Sequence, residues 1–260
     1  MSFLTMRHML GLAALTLLAV APAANAQDTF LPKSTTLNKH NPVLAPFSAI
    51  VGYANFDDYI NGNNPTSPTI RIVAGANVNA LEVHNSSVID MRGGSVGSND
   101  FGGKLLAVDN STINISGGLV VFDLDVQNFS TVNFIGGEIG DDIVSHDNTT
   151  VNMLGGTVDQ DLLINGNSTF NLGGGSILDD VFVQDSSLLN IFGMGLKSVL
   201  VDPNVEGFYS EYQLSGHLLD GTNLAGRIIF VQNGSGARFT LNNVRHDDHG
   251  DDRDGHHDKH

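Results

Sequence analysis

The sequence predicts an all-β chain folded as a right-handed parallel β-helix, a solenoid of 19-residue coils capped at both ends. Three observations carry this. The first is a repeat: Ser111-Thr-Ile-Asn-Ile-Ser-Gly-Gly118 recurs as Ser130-Thr-Val-Asn-Phe-Ile-Gly-Gly137, Thr149-Thr-Val-Asn-Met-Leu-Gly-Gly156 and Ser168-Thr-Phe-Asn-Leu-Gly-Gly-Gly175, and in shortened form from Ser187 to Gly193. An earlier copy, Ser87-Val-Ile-Asp-Met-Arg-Gly-Gly94, stands further from the Ser111 copy than the period allows, so one coil there carries an insert. A fixed period this short means that each repeat is one coil stacked on its neighbours. The second is strand-like alternation inside each repeat, and the third is a composition with 30 glycines and no tryptophan, suited to tight corners and thin walls.

Residues 1–26 read as a secretory signal. Arg7 precedes an apolar run from Met9 to Val20 broken only by Gly11 and Thr16, and Ala24-Asn-Ala26 forms a small-x-small cleavage site before Gln27. The run is too short for a membrane span, and no second segment approaches spanning length. Residues 27–66 form a proline-bearing lead-in and N-terminal cap without a clear period. The β-solenoid repeats occupy 67–195, with Ser67–Val73 and Val78–Val83 opening the stack by alternation. Residues 196–243 read as a C-terminal β cap with turns at Asp202-Pro203, Asp220-Gly221 and Asn233-Gly234, covering a strand edge that would otherwise invite aggregation. Residues 244–260, with Val244 their one apolar side chain, read as a disordered His/Asp-rich tail.

Side chains alternate between the two faces of a strand. The pairs Ile113/Ile115, Val132/Phe134, Val151/Met153, Phe170/Leu172 and Leu189/Ile191 therefore face inward. Asn114, Asn133, Asn152, Asn171 and Asn190 then form an exposed outward column beside Thr112, Thr131, Thr150 and Thr169. The Gly-Gly pair makes a corner that calls for positive φ. A second inward set comprises Val120, Ile139, Val158 and Ile177, then Leu124, Ile143, Leu162 and Val181, extended by Val126, Ile164 and Val183 with Ser145 as the odd member. Burial of about five apolar side chains per coil, roughly 1.5–3 kcal/mol each, drives the stacking. Five or six coils give a rod of roughly 25–30 Å before the caps.

Charge and cysteine usage narrow the partners. The formal net charge of −16 becomes −17 when Arg7 leaves with the signal, which argues against nucleic acid and anionic bilayers. There is no cysteine, so disulfides do not staple the exported chain.

The repeats resemble those of secreted bacterial β-solenoid proteins of the PEP-CTERM-associated and autotransporter-passenger type, across roughly residues 67–195. Tyr212–Leu224 is similar to a cap that follows such repeats. The resemblance implies a parallel β-helix placed outside the cell or on its surface, and says little about ligand. The chain shows no Pro-Glu-Pro sorting signal, apolar anchor helix or barrel segment, which argues against attachment by those routes.

Two polar features suggest metal. Asp123, Asp142, Asp161 and Asp180 recur once per coil at the repeat period, with Lys104 one turn earlier, Asp141 and Asp179 flanking in two coils and Asp125 and Asp159 near the others. Clustered carboxylates suit calcium, although the Gly-Gly-x-Gly-x-Asp calcium repeat is missing. In the tail, His246, His249, His256 and His257 stand among aspartates, a donor set for zinc or nickel. The plain alternative is a solvated corner and a solvated tail, with no cofactor required. The Thr-x-Asn face suggests contact with surface polysaccharide or matrix, or simply a ladder that holds coils together.

Catalysis finds little support. Basic residues are nearly missing from the stack, with Arg71, Arg92 and Lys104 inside it and Lys197 just beyond it, and Ser95 to Lys104 is the only insert from which to build a groove. His84 and His146 read as isolated surface residues. The leading expectation is thus an exported non-catalytic solenoid of surface, matrix or adhesion type, followed by a divalent-metal-binding secreted protein and then a carbohydrate-active β-helix enzyme. Oligomeric state is left open.

Overall fold

The structure, a computed structural model, describes residues 29–40, 49–53, 56–97 and 103–244. The expected signal segment and the tail histidines His246, His249, His256 and His257 lie outside the described residues. The first coil holds β1 (Thr29–Leu31) and β2 (Thr35–Leu37). The second holds β3 (Ala49–Val51), the short helix α1 (Phe56–Asn61), β4 (Thr69–Ile72) and β5 (Asn77–Val78). β6 (Leu81–Val83) and β7 (Val88–Val96) make the third, and β8 (Leu105–Ala107) and β9 (Thr112–Val120) the fourth. Regular coils follow: β10 (Leu124–Val126) with β11 (Thr131–Ile139), β12 (Ile143–Ser145) with β13 (Thr150–Val158), and β14 (Leu162–Ile164) with β15 (Thr169–Ile177). β16 (Val181–Val183) leads into the long β17 (Leu188–Val205), and β18 (Tyr209–Leu218), β19 (Ile228–Gln232) and β20 (Arg238–Asn243) follow.

Two parallel ladders run the length of the stack. The short strands pair in the order β1-β3-β6-β8-β10-β12-β14-β16-β19. The long ones pair as β2-β4-β7-β9-β11-β13-β15-β17-β20. Beyond the Gly-Gly corner the ends of the long strands form a third face, in which Val96, Val120, Ile139, Val158 and Ile177 align. The nine coils of the described residues, at about 4.8 Å each, give a rod of about 40 Å.

Register is set by the inward columns. Ile113, Val132, Val151, Phe170 and Leu189 lie directly opposite one another, as do Ile115, Phe134, Met153, Leu172 and Ile191. All are buried in one continuous core. A slip of one residue would turn every one of them outward, which is why the pairing is firmly specified. Ser145, the polar member of an inward column, is fully buried and its hydroxyl lies 3.2 Å from that of Ser168.

Three corners close each coil: one carries the aspartates before the short strand, and the other two have left-handed residues. The second glycine of each Gly-Gly pair is left-handed, for example Gly137 at φ 104°, and a Cβ there would lie 2.8 Å from the Gly118 carbonyl oxygen. The other left-handed corner went unread in the sequence: Asn85, Asp109, Asn128, Asp147, Gly166 and Asp185 all take φ between 56° and 66°. Asn and Asp tolerate this region because their side chains bond locally. Asp147 and Asp185 each accept the backbone N–H of the preceding coil's corner residue, Asn128 at 2.9 Å and Gly166 at 2.9 Å.

The ends differ from the expected caps. The sequence predicts a lead-in over 27–66 that precedes the stack, yet β1 to β3 are coil strands in register with those that follow. Their period is hidden because α1 lengthens the stretch from Ala49 to its ladder partner Leu81 well beyond a regular coil such as Leu124 to Ile143. At the other end, β17 runs past the core and pairs antiparallel with β18, which in turn pairs antiparallel with β19. β19 and β20 then rejoin the parallel ladders as one further coil. The segment 196–243 thus contains a hairpin excursion and a last coil. No helix among the described residues is long and apolar enough to cross a membrane.

Candidate functional site

Pairing of Leu105, Leu124, Ile143, Leu162 and Val181 brings Lys104, Asp123, Asp142, Asp161 and Asp180 into one column, each just before a short strand. The column is hydrogen-bonded from coil to coil. The backbone N–H of Asp161 donates to Asp142 Oδ1 at 2.8 Å, and that of Asp180 to Asp161 Oδ1 at 3.0 Å. These contacts need an acceptor at each column position, which a carboxylate provides.

Asp141 and Asp179 complete two carboxylate trios, Asp123–Asp141–Asp142 and Asp161–Asp179–Asp180, each with one oxygen per residue within 4.8 Å of the others. Each trio spans two coils, so the pattern recurs every second coil. Asp125 and Asp159 are not members. The Asp-Asp pairs at 141–142 and 179–180, in alternate coils, are the sequence signal that separates them from the other flanking acids.

Burial and neighbouring charge act together on these groups. Partial burial, then repulsion from Asp161, Asp141 and Asp123, pushes the Asp142 carboxyl up to about 6 against the lowering effect of the Asp161 N–H. Burial, then Asp179, Asp161 and Glu211, takes Asp180 to about 6. Asp123 and Asp141 shift upward too, each mainly through burial and then through a neighbouring aspartate. Like charges a few ångströms apart resist joint ionisation. A hard divalent cation would relieve that repulsion, and an all-oxygen donor set suits calcium rather than zinc or nickel.

Lys104 occupies the column but pairs outside it: its Nζ reaches Asp125 Oδ2 at 2.6 Å, and Gln127 Nε2 donates to Asp125 Oδ1 at 3.0 Å. Asp125 stands among apolar residues, aligned with Leu106, Val144, Leu163 and Phe182 on the outer side of the short-strand ladder. That outward apolar column is missed in the sequence because three-residue strands show no readable alternation. The β17–β18 hairpin covers part of it, with Val205 and Tyr209 packed on Leu163, Phe182 and Phe230.

The Thr-x-Asn face is half-buried, not exposed as expected. Its asparagines form a side-chain ladder: Nδ2 of Asn133, Asn152, Asn171 and Asn190 donates to Oδ1 of the preceding asparagine at 2.8–2.9 Å. Their mutual bonding withdraws amide capacity from outside ligands. His84 is likewise not isolated on the surface; its ring forms a triangle with those of Tyr53 and Tyr59 and lies beside Glu82 and Asp109. The aromatic partners come from the preceding, lengthened coil, too far upstream to be linked by spacing.

Comparison with protein families, curated proteins and solved structures finds no match for this chain.

Proposed function

We propose that this chain is an exported, non-catalytic β-solenoid serving as a cell-surface, matrix or adhesion component. The observation that supports this best is the set of polar ladders: asparagine amides and aspartate carboxylates are bonded from coil to coil, giving a rod with long regular faces. Such a rod is suited to spacing and contact, with surface polysaccharide or matrix as partner. The Arg7-led apolar run and the Ala24-Asn-Ala26 site support export, as does the resemblance to secreted repeat proteins. Mass spectrometry of the exported fraction should find Gln27 as N-terminus, and the purified protein should bind isolated cell envelopes or their polysaccharide. Retention of Met1 in a cytoplasmic pool would overturn the reading.

The two carboxylate trios favour a second reading, calcium binding along the corner. Millimolar calcium should raise the melting temperature more than sodium at matched ionic strength, because site binding stabilises by mass action whereas sodium only screens. Equal shifts would leave the column a solvated corner. The tail histidines are a separate zinc or nickel proposal: deletion of residues 244–260 should abolish zinc binding and leave the calcium shift intact.

A further inference from the structure

Four segments meet around His84. β3 ends near Tyr53, α1 contributes Tyr59, β6 contributes Glu82 and leads into His84, and the corner after β8 contributes Asp109. The imidazole lies edge-on to both phenol rings, with centroids 5.4 Å away for Tyr53 and 5.3 Å for Tyr59. Its Nε2 is 3.5 Å from Glu82 Oε2 and its Nδ1 is 3.7 Å from Asp109 Oδ2. Glu82 is buried and also accepts from the Tyr59 hydroxyl at 3.2 Å. Asp109 accepts the Asn85 backbone N–H at 3.0 Å. Tyr59 packs further on Tyr53 and Phe30, so the cluster ties α1 to the stack.

The proton count at the ring decides how well the cluster holds. A neutral imidazole has one N–H and satisfies one carboxylate, while an imidazolium donates from both nitrogens. With a neutral ring, Glu82 and Asp109 lose the cation between them and one of them loses the imidazole as a partner, Glu82 keeping the Tyr59 hydroxyl or Asp109 the Asn85 N–H. We propose that His84 is a pH-operated latch, closing α1 onto the outer face of the first coils when the imidazole is protonated and loosening it when the proton leaves.

The electrostatics agree in sign. Burial lowers the His84 pKa, but the contacts with Asp109 and Glu82 outweigh it and the net shift is upward. The His84 contact, opposed by burial, in turn lowers the Asp109 carboxyl. Tyr53 is raised by burial and then by the Asp109 charge, so its phenol keeps its proton through neutral pH. A raised imidazole pKa contributes stability that is fully present below the unfolded value of about 6.5 and is lost as pH rises through the folded value.

The full chain tests this directly. NMR titration of the imidazole resonances should place His84 above the ordinary histidine range. Over the same interval the amide-exchange protection factor at Tyr59 should fall severalfold as pH rises, with about tenfold per unit of raised pKa as the ceiling. Glu82→Gln, which keeps the Tyr59 hydroxyl acceptor and removes one charge, should lower the His84 midpoint and flatten the Tyr59 response. If that variant does not fold, the wild-type titration still decides. A His84 midpoint at or below the ordinary value, or Tyr59 protection that ignores the His84 midpoint, would overturn the latch.

Discussion

The backbone N–H of Asp161 donates to the carboxylate of Asp142 at 2.8 Å, so a column of like charges is also a column of hydrogen bonds. The two effects pull in opposite directions. The N–H favours the ionised carboxylate, while burial and the neighbouring aspartates disfavour it more strongly.

This balance sets a pH dependence. Asp142 and Asp180 have folded values of about 6 against 3.8. Their folded pKa values are raised, so they stabilise the fold relatively at low pH, and that contribution is lost as pH rises through about 6. Thermal unfolding should show stability rising from about pH 7.5 to about pH 5. Asp142→Asn keeps an acceptor oxygen for Asp161 and removes the charge. It should stabilise at neutral pH by on the order of 1 kcal/mol, after discounting for solvent screening, and flatten the profile.

Inward and outward columns should respond differently to truncation. Phe170→Ala empties a fully buried position and should cost about 3–5 kcal/mol. Asn171→Ala breaks the ladder at one coil, removing its bond to Asn152 and the one from Asn190, and should cost about 1–3 kcal/mol. Chemical denaturation of both variants checks the ranking, and equal losses would contradict the face assignment.

The left-handed corner offers a backbone test. Asn128 has φ 62°, so Asn128→Gly should be nearly neutral, whereas Asn128→Val should cost about 1–2 kcal/mol or more. Denaturation midpoints of the two variants are the comparison to make.

Lys104 and Asp125 form a partly buried pair in an apolar column. Lys104→Ala leaves the Asp125 carboxylate, whose side chain is only 10% exposed, with the Gln127 amide but without its cation, and should destabilise by about 1–3 kcal/mol. Asp125→Leu continues the column of Leu106, Val144 and Leu163 and should be neutral or stabilising, because the Lys104 side chain left behind is 38% exposed and its ammonium turns to solvent. The double variant should recover most of the Lys104→Ala loss in thermal melts.

The repeat makes the coil readable because Val132 and Phe134 alternate with Asn133 at a fixed period, and that period survives in every regular coil. It does not reveal β1 to β3, since α1 lengthens the coil that contains it and no second copy shows the same insertion. The last coil is hidden for a similar reason: β17 and β18 intervene, so Ile229 lies far along the chain from its ladder partner Val181. The aspartate column is visible as one residue per repeat, but its division into trios needs the geometry. A buried imidazole such as His84 gives no periodic signal, because its partners come from segments of unequal length.

The asparagine ladder also has a direction. Asn133, Asn152, Asn171 and Asn190 all donate toward the first coils, each to the asparagine before it, so the side-chain dipoles add head to tail along the rod axis, as peptide units do in a helix. The series needs an anion or acceptor at its donor end and a donor at its acceptor end. An aspartate stands in register at the first, where Asp90 aligns with Asn114 and is held by Arg71 and Arg92, and the Thr240 hydroxyl donates to Asn190 Oδ1 at 2.8 Å at the second. Reversing one amide in the middle would set two like poles against each other on one side and two on the other. The rod therefore has a built-in polarity that no single coil can invert by itself.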